Sequence, residues 1–319
     1  MFKRIIISTI FIITSLSAQW PFGKDVEWYI EGPKKSWTKR DHDRYYRWRD
    51  RLSASRKAEA ADEQILPRQK AILNGNKITT EIWNYGSISS PGNRVTDIVW
   101  ETLGYGYEFG PFICAKVPLE SGHHQDAFYE IVDGDTNWYA NMISDGLTSL
   151  GGEVSPDGLE FYGWEPLAWN DDFTVPYGDP VSENIPTSND LDRDGDGKPD
   201  SWPFGWYNSN LKDYVWPGAL RQGASNSDLE SFFVVDDRTN KEFQYYPFEA
   251  DSLKRGLGIE IESRYYQWAN PLAEDIIFLI YKVTNKSDKD LNDVTFGMWG
   301  DPHVGGPSNW QDDLSFFDQ

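Results

Sequence analysis

The sequence predicts a mainly β protein: β-sandwich modules, preceded by an N-terminal helical segment and interrupted by a long Asp-rich loop insertion. Three observations carry this expectation. From Lys77 onward, short apolar or alternating runs recur between Gly, Pro, Asn and Asp residues, the pattern of strands and turns. Aromatic residues make up 15% of the chain and include 15 Trp, ample material for a core despite a mean hydropathy of -0.61. No fixed-period repeat runs through the 319 residues, so the signature of a propeller or solenoid is missing.

Met1 to Ala18 combines Lys3 and Arg4, an apolar run from Ile5 to Ile13, and the small residues Ser15, Ser17 and Ala18. That order predicts a signal peptide over 1–18. The run falls short of the roughly 20 residues a membrane helix needs, and no other stretch comes near that length. A secreted or cell-surface protein with no membrane span after cleavage is therefore expected. Residues 19–76 read as a basic helical segment. Ser36 or Thr38 caps it, Asp41 and Asp43 sit in its first turns, and Tyr45, Trp48 and Leu52 recur at helical spacing. The pattern continues through Ala54 to Gln64 and stops at Pro67 and the turn Asn74-Gly75-Asn76.

Charge is unevenly spread. The net charge is -21, or -23 without Lys3 and Arg4; residues 34–57 carry +7 and the rest of the mature chain -30. Such a body repels phosphate, so nucleic acid is not an expected partner, and the arginines belong to a solvated or body-docked helix. The lone Cys114 cannot form an internal disulfide, and its apolar surroundings predict a buried small hydrophobe rather than a nucleophile.

Residues 77–319 form the expected β region. Strands are predicted over Ile78–Tyr85, Val95–Leu103, Phe109–Val117, Phe128–Val132, Leu159–Tyr162, Phe232–Val235 and Gly258–Trp268. In the last of these, Ile259, Ile261 and Tyr265 alternate with Glu260, Glu262 and Arg264, which predicts one wet face. Ile276–Val283 is apolar almost throughout and reads as a central strand covered on both faces. A polar connection leads from it to Val294–Met298, making a hairpin or a sandwich edge.

The densest chemical signal is Asp190-Leu-Asp192-Arg-Asp194-Gly-Asp196-Gly197-Lys198-Pro-Asp200, with five carboxylates in eleven residues. Asp192, Asp194 and Asp196 fall at positions 1, 3 and 5 of a calcium loop, Gly197 at the sharp turn, Lys198 at the backbone-carbonyl position and Asp200 at position 9. Hard oxygen donors at alternate positions suit Ca2+. The loop resembles the D-x-D-x-D-G-x-x-D motif of EF-hands and, more closely, of thrombospondin type 3-like repeats. Position 12 holds Pro203 instead of a bidentate Glu, so another ligand is needed, and Asp190 is the candidate.

The runs Asn270–Leu291 and Phe296-Gly-Met-Trp-Gly-Asp301-Pro-His-Val-Gly-Gly, with the earlier Gly104-Tyr-Gly-Tyr-Glu-Phe-Gly-Pro, resemble uncharacterised secreted β-sandwich proteins of Gram-negative bacteria. Those are often cargo of type IX secretion. The resemblance implies a secreted or surface protein with sandwich modules and brings no catalytic residues. Such cargo usually ends in a sorting domain, whereas this sequence stops at Phe316-Phe-Asp-Gln319 in what reads as an acidic loop, so a longer protein is expected.

Asp301, Asp312, Asp313 and Asp318 offer a second, irregular calcium cluster, and His123-His124 an adjacent pair of transition-metal donors in a Gly-rich loop. No G-x-S-x-G, H-E-x-x-H or phosphate-binding glycine loop is present. Asp145 and Glu165 make one of many conceivable acid pairs for glycoside hydrolysis. Trp164, Trp169, Trp202, Trp206 and Trp216 crowd around the Asp loop, either as core or as faces that stack on sugars. The expected function is a non-catalytic calcium-binding structural or binding protein with an extracellular glycan or protein partner. The alternative is a carbohydrate-binding or glycoside-hydrolysing protein that uses the Trp-rich region.

Overall fold

The computed structural model describes residues 65–89, 97–146, 162–220 and 222–306, all within a compact unit running from Ala60 to Gln319. The predicted signal peptide, the arginine-rich helix, residues 159–161, and Asp312, Asp313 and Asp318 lie outside the described residues. Among the described residues there is no α-helix, only a 3-10 turn at Phe204–Trp206. Accordingly none of them is long and apolar enough as a helix to cross a membrane.

The chain runs β1 (Lys70–Leu73), β2 (Ile78–Trp83), β3 (Ile98–Trp100), β4 (Leu103–Leu119), β5 (Phe128–Val132) and β6 (Asp135–Asp145). It continues with β7 (Glu165–Pro166), β8 (Tyr207–Asn208), β9 (Asp213–Tyr214), β10 (Leu229–Asp236), β11 (Ile259–Gln267), β12 (Phe278–Asn285) and β13 (Asn292–Pro302). Among the described residues every strand pairing is antiparallel. A larger sheet has the order β1-β2-β3-β4-β6-β5 with β13 also on β4, a smaller one has the order β12-β11-β10-β7, and β8 and β9 form a ribbon.

β4 organises the larger sheet. β13 pairs with it from Gly106 to Lys116, β3 at its start and β6 from Phe112 to Leu119. The glycines of β13 are spacing devices. A Cβ at Gly297 would lie 2.4 Å from the Phe112 ring, and one at Gly300 2.4 Å from the Phe109 ring, so each glycine leaves room for an aromatic on the neighbouring strand.

One hydrophobic cluster draws on both sheets: Leu73, Ile82, Ile113, Val117 and Met142 from the larger, Leu229, Phe233, Val235, Ile261 and Tyr265 from the smaller. Residues opposite one another on paired strands share a face, so the other face of β10 carries Glu230, Phe232, Val234 and Asp236. Phe232 and Val234 pack there with Leu167, Trp202, Trp206 and Trp216 of the loop region that follows β7. The Trp-rich insertion is thus a third layer over the outer face of the smaller sheet.

That layer corrects two expectations. The strand buried on both faces is β10, in which only Asp236 reaches intermediate exposure. Ile276–Val283 instead gives β12, an edge strand bonded to β11 alone, with Phe278, Ile280 and Val283 exposed. On the face of β11 predicted to be wet, Glu260 and Glu262 stay half-buried and only Arg264 is covered, at 7% exposure. β12 and β13 belong to different sheets and do not form a hairpin; their connection crosses from one sheet to the other. The segment read as helical to residue 76 ends in β1, which pairs Lys70–Leu73 with Thr80–Trp83. Tyr162 lies outside any strand. Cys114, on the face of β4 opposite Ile113 and Ala115, is half-buried rather than buried, and burial, with Glu242 nearby, pushes its thiol up.

Candidate metal centre

The Asp loop leaves the insertion at a fixed base. Ser188 N donates to Glu230 O, Glu230 N to Ser188 Oγ, and Trp202 Nε1 to Thr187 O. Asp200 N donates to Leu191 O, so the chain enters and leaves side by side. Between these points Gly195 and Gly197 take φ of 78° and 88°, left-handed values that favour glycine.

The carboxylates first organise the backbone. Asp192 Oδ1 accepts from Gly195 N at 2.6 Å and Asp196 N at 3.2 Å, and its Oδ2 from Gly197 N at 2.9 Å. These donors, Gly197 foremost, hold the Asp192 carboxyl below the usual range. Asp194 Oδ1 accepts from Asp196 N, and Asp196 Oδ1 from Lys198 N. Burial pushes Asp196 up, and the charges of Asp194 and Asp192 add to that. The loop therefore concentrates repulsion that a cation offsets.

Asp192, Asp194 and Asp200 each present an oxygen within 4.8 Å of the other two. An ion with metal–oxygen distances of about 2.4 Å has its ligands at most about 4.8 Å apart, so the three fit around one centre. All three donors are hard carboxylates, the set that suits Ca2+ or Mg2+ rather than a soft metal. The structure does not bring Asp196 or Asp190 into this trio. Asp190 is a strut: it accepts from Ser201 N at 2.7 Å and Arg193 Nη1 at 2.7 Å. Burial pushes its carboxyl up, but the bonds from Ser201 and Arg193 outweigh burial and hold it low. Arg193 also reaches Asp200 Oδ2 at 3.0 Å, placing a guanidinium beside the trio.

Lys198 has a role that its position in the motif does not suggest. Its ammonium is buried, 3.2 Å from Asp179 Oδ2 and 2.7 Å from Trp202 O. The side chain thereby ties the loop to the Trp layer. No signal in the sequence pairs residue 198 with residue 179.

The indoles face inward. Trp202, Trp206 and Trp216 are mutual neighbours with ring centroids 5.4 to 5.7 Å apart, and all three are at most 7% exposed. Trp164 is 1% exposed, with Nε1 donating to Pro111 O, and Trp169 packs half-buried on Leu66 and Ala168. Of the two readings of these residues, core or sugar-stacking faces, the packing is that of core: it takes the faces a sugar needs. Each fully buried aromatic contributes about 1.5–3 kcal/mol to holding the layer down.

The remaining candidates are dispersed. Asp145 is buried beside Gly163, while Glu165 ion-pairs with Arg68 at 3.4 Å. His124 lies 3.5 Å from Asp126 with its ring against Phe243, and His123 is exposed. Asp301 stands opposite Glu108 near the end of β13. No protein-family model, curated protein or solved structure matches this chain.

Proposed function

We propose that the chain is a secreted or cell-surface calcium-binding protein with a structural or binding role and no catalysis, in which Ca2+ on the Asp loop locks the Trp-rich layer onto a two-sheet sandwich. The convergence of Asp192, Asp194 and Asp200 within 4.8 Å carries this reading. The ion replaces mutual repulsion with shared ligation, and because the unfolded chain has no such site, binding free energy becomes folding free energy. Export places the loop where calcium is abundant, so a dissociation constant on the order of 10⁻⁴–10⁻³ M suffices. The signal-peptide pattern and the resemblance to type IX secretion cargo support that location.

The test is thermal unfolding of the mature chain in calcium and in chelator, beside an Asp192→Ala/Asp194→Ala double variant. At a calcium concentration 100 times the dissociation constant the wild type gains about 2.7 kcal/mol, read as a higher Tm, while the variant gains nothing. Equal Tm values for the wild type with and without calcium would sink the proposal. Magnesium serves as the control: it demands near-ideal octahedral geometry and keeps several waters, so a smaller shift is expected.

A further inference from the structure

The core is open along one edge of the sandwich. Among the described residues β13 is bonded to β4 alone and β12 to β11 alone, so each sheet ends there in a free strand. The two strands adjoin, with the Phe296 ring centroid 5.6 Å from that of Tyr281. Phe296 stands opposite Ile113 of β4, so Val294, Phe296 and Met298 alternate along β13 on the core face. Ile113 is sealed from water, yet these three side chains are 39–50% exposed. They lack a neighbour on the side away from β4.

The two free strands are not equally defended. Charge, proline or a bulge guards an edge against pairing. β12 carries the exposed Lys282 near its middle. The bulges of β13 lie at its ends, between Asn292 and Thr295 and between Asp301 and Pro302. Between them runs Thr295-Phe-Gly-Met-Trp-Gly300, without charge or proline. The apolar positions also read the same in both directions about Phe296. A strand laid antiparallel with Phe296 at its centre sets Val294 against Met298 and Phe296 against Phe296. Asp293, already 2.8 Å from Lys116, then faces Trp299, so no like charges stand directly opposed.

We propose that β13 is the seam of a homodimer, in which two copies join edge to edge about a two-fold axis at Phe296 and the larger sheet runs through both. The contact is isologous, so the pair closes and leaves no β13 edge for a third copy. Per copy it covers on the order of 300 Å² of apolar side chain from Val294, Phe296, Met298 and Trp299. That is small beside the roughly 800 Å² of a standard interface, so a reversible dimer is expected, with a dissociation constant on the order of micromolar. Each mature copy carries -23, and screening that repulsion tightens the pair. This inference is independent of the calcium loop.

Sedimentation of the mature chain in calcium, from about 1 to about 100 µM, tests it. The mass is expected to rise to two copies and no further, at lower protein concentration when salt is raised. Val294→Lys changes a half-exposed position and sets an ammonium against the partner's Met298, so dimerisation should weaken at least about tenfold at unchanged Tm. In a Cys114→Ser background, Phe296→Cys brings two thiols to paired positions about 4.5–5.5 Å apart at Cα, within disulfide reach. Mild oxidation should then give a covalent dimer, while Lys282→Cys on β12 should not. A monomer at every concentration would assign the edge to some other strand and overturn the proposal. Unaltered association by Val294→Lys, growth past two copies, or equal cross-linking through Lys282→Cys would overturn it as well.

Discussion

Replacing Asp237 with alanine is expected to cost about 4 kcal/mol of stability. Its carboxyl is fully buried, and four donors converge on it: Leu257 N at 2.7 Å and Ser144 Oγ at 2.9 Å on Oδ2, Gly258 N and Ile259 N at 3.1 Å on Oδ1. Alanine leaves three backbone N–H groups buried without an acceptor, and each costs about 1–3 kcal/mol. The bond to Ser144 also joins the sheets, because Ser144 lies in β6 and the backbone donors open β11. Gly256 makes the approach feasible, for a Cβ there would lie 2.2 Å from Asp237 O.

The same residue gives stability a definite pH dependence. Burial pushes the Asp237 carboxyl up to about 7, with the charge of Asp236 adding and the hydrogen bonds opposing. An unfolded aspartate titrates near about 3.9. Between these values the native state holds a proton that the unfolded chain releases, so this contribution is complete below about pH 4 and drains away as pH rises through 7. The full swing is on the order of 4 kcal/mol. Urea unfolding at pH 4.5, 6 and 7.5, compared with Asp237→Asn, should show the wild-type advantage shrinking as pH rises. A difference that grows with pH would reverse the assignment.

The fate of each sequence expectation follows from what local patterns encode. Phe128–Val132 appears as β5 without change, and the strands around Phe232 and Ile259 lie within a residue or a few of their expected bounds, because apolar alternation and flanking turn residues act locally. Which strand is central is a different kind of fact. Ile276–Val283 is more apolar than β10, yet β10 is the one enclosed, since the Trp layer that covers its outer face begins some 60 residues earlier in the chain. β6 carries no alternating signal, because Asp135-Thr-Asn-Trp-Tyr-Ala-Asn mixes polar residues into both faces, and β1 carries none because four residues after a helical pattern have no period of their own. In the Asp loop, spacing correctly named Asp192, Asp194 and Asp200 as neighbours. It said nothing of Arg193 bridging Asp190 and Asp200, or of Lys198 reaching Asp179. That Glu165, Asp236 and Glu260 stand in one row across β7, β10 and β11 is set wholly by strand register, which no stretch of sequence displays.

Glu230→Ala is expected to cost about 2–3 kcal/mol, because it removes one of the two carboxylates on a buried guanidinium, Glu262 holding the other side at 2.8 Å. Glu230 Oε1 lies 2.7 Å from Arg264 Nη1, and Oε2 accepts from Trp216 Nε1 at 2.9 Å. Arg264 also stacks over Phe232, 4.3 Å from the ring centroid. The glutamate thus joins two layers: Arg264 belongs to the smaller sheet and Trp216 to the insertion above it. Both charges are buried, so desolvation consumes most of their attraction, and a Glu230→Leu/Arg264→Met double variant should recover much of what the single change loses. The indole bond is not recovered, which makes the double variant informative. If Glu230 only neutralises Arg264, the double variant returns to wild-type stability with an unaltered calcium response. If it also anchors the insertion, Tm returns while the Trp layer stays loosened, with red-shifted fluorescence and weaker calcium binding, since Ser188 at the base of the Asp loop bonds to the backbone of this same residue. The geometry favours the second result. A Glu230→Ala variant within 1 kcal/mol of wild type would remove the premise for both.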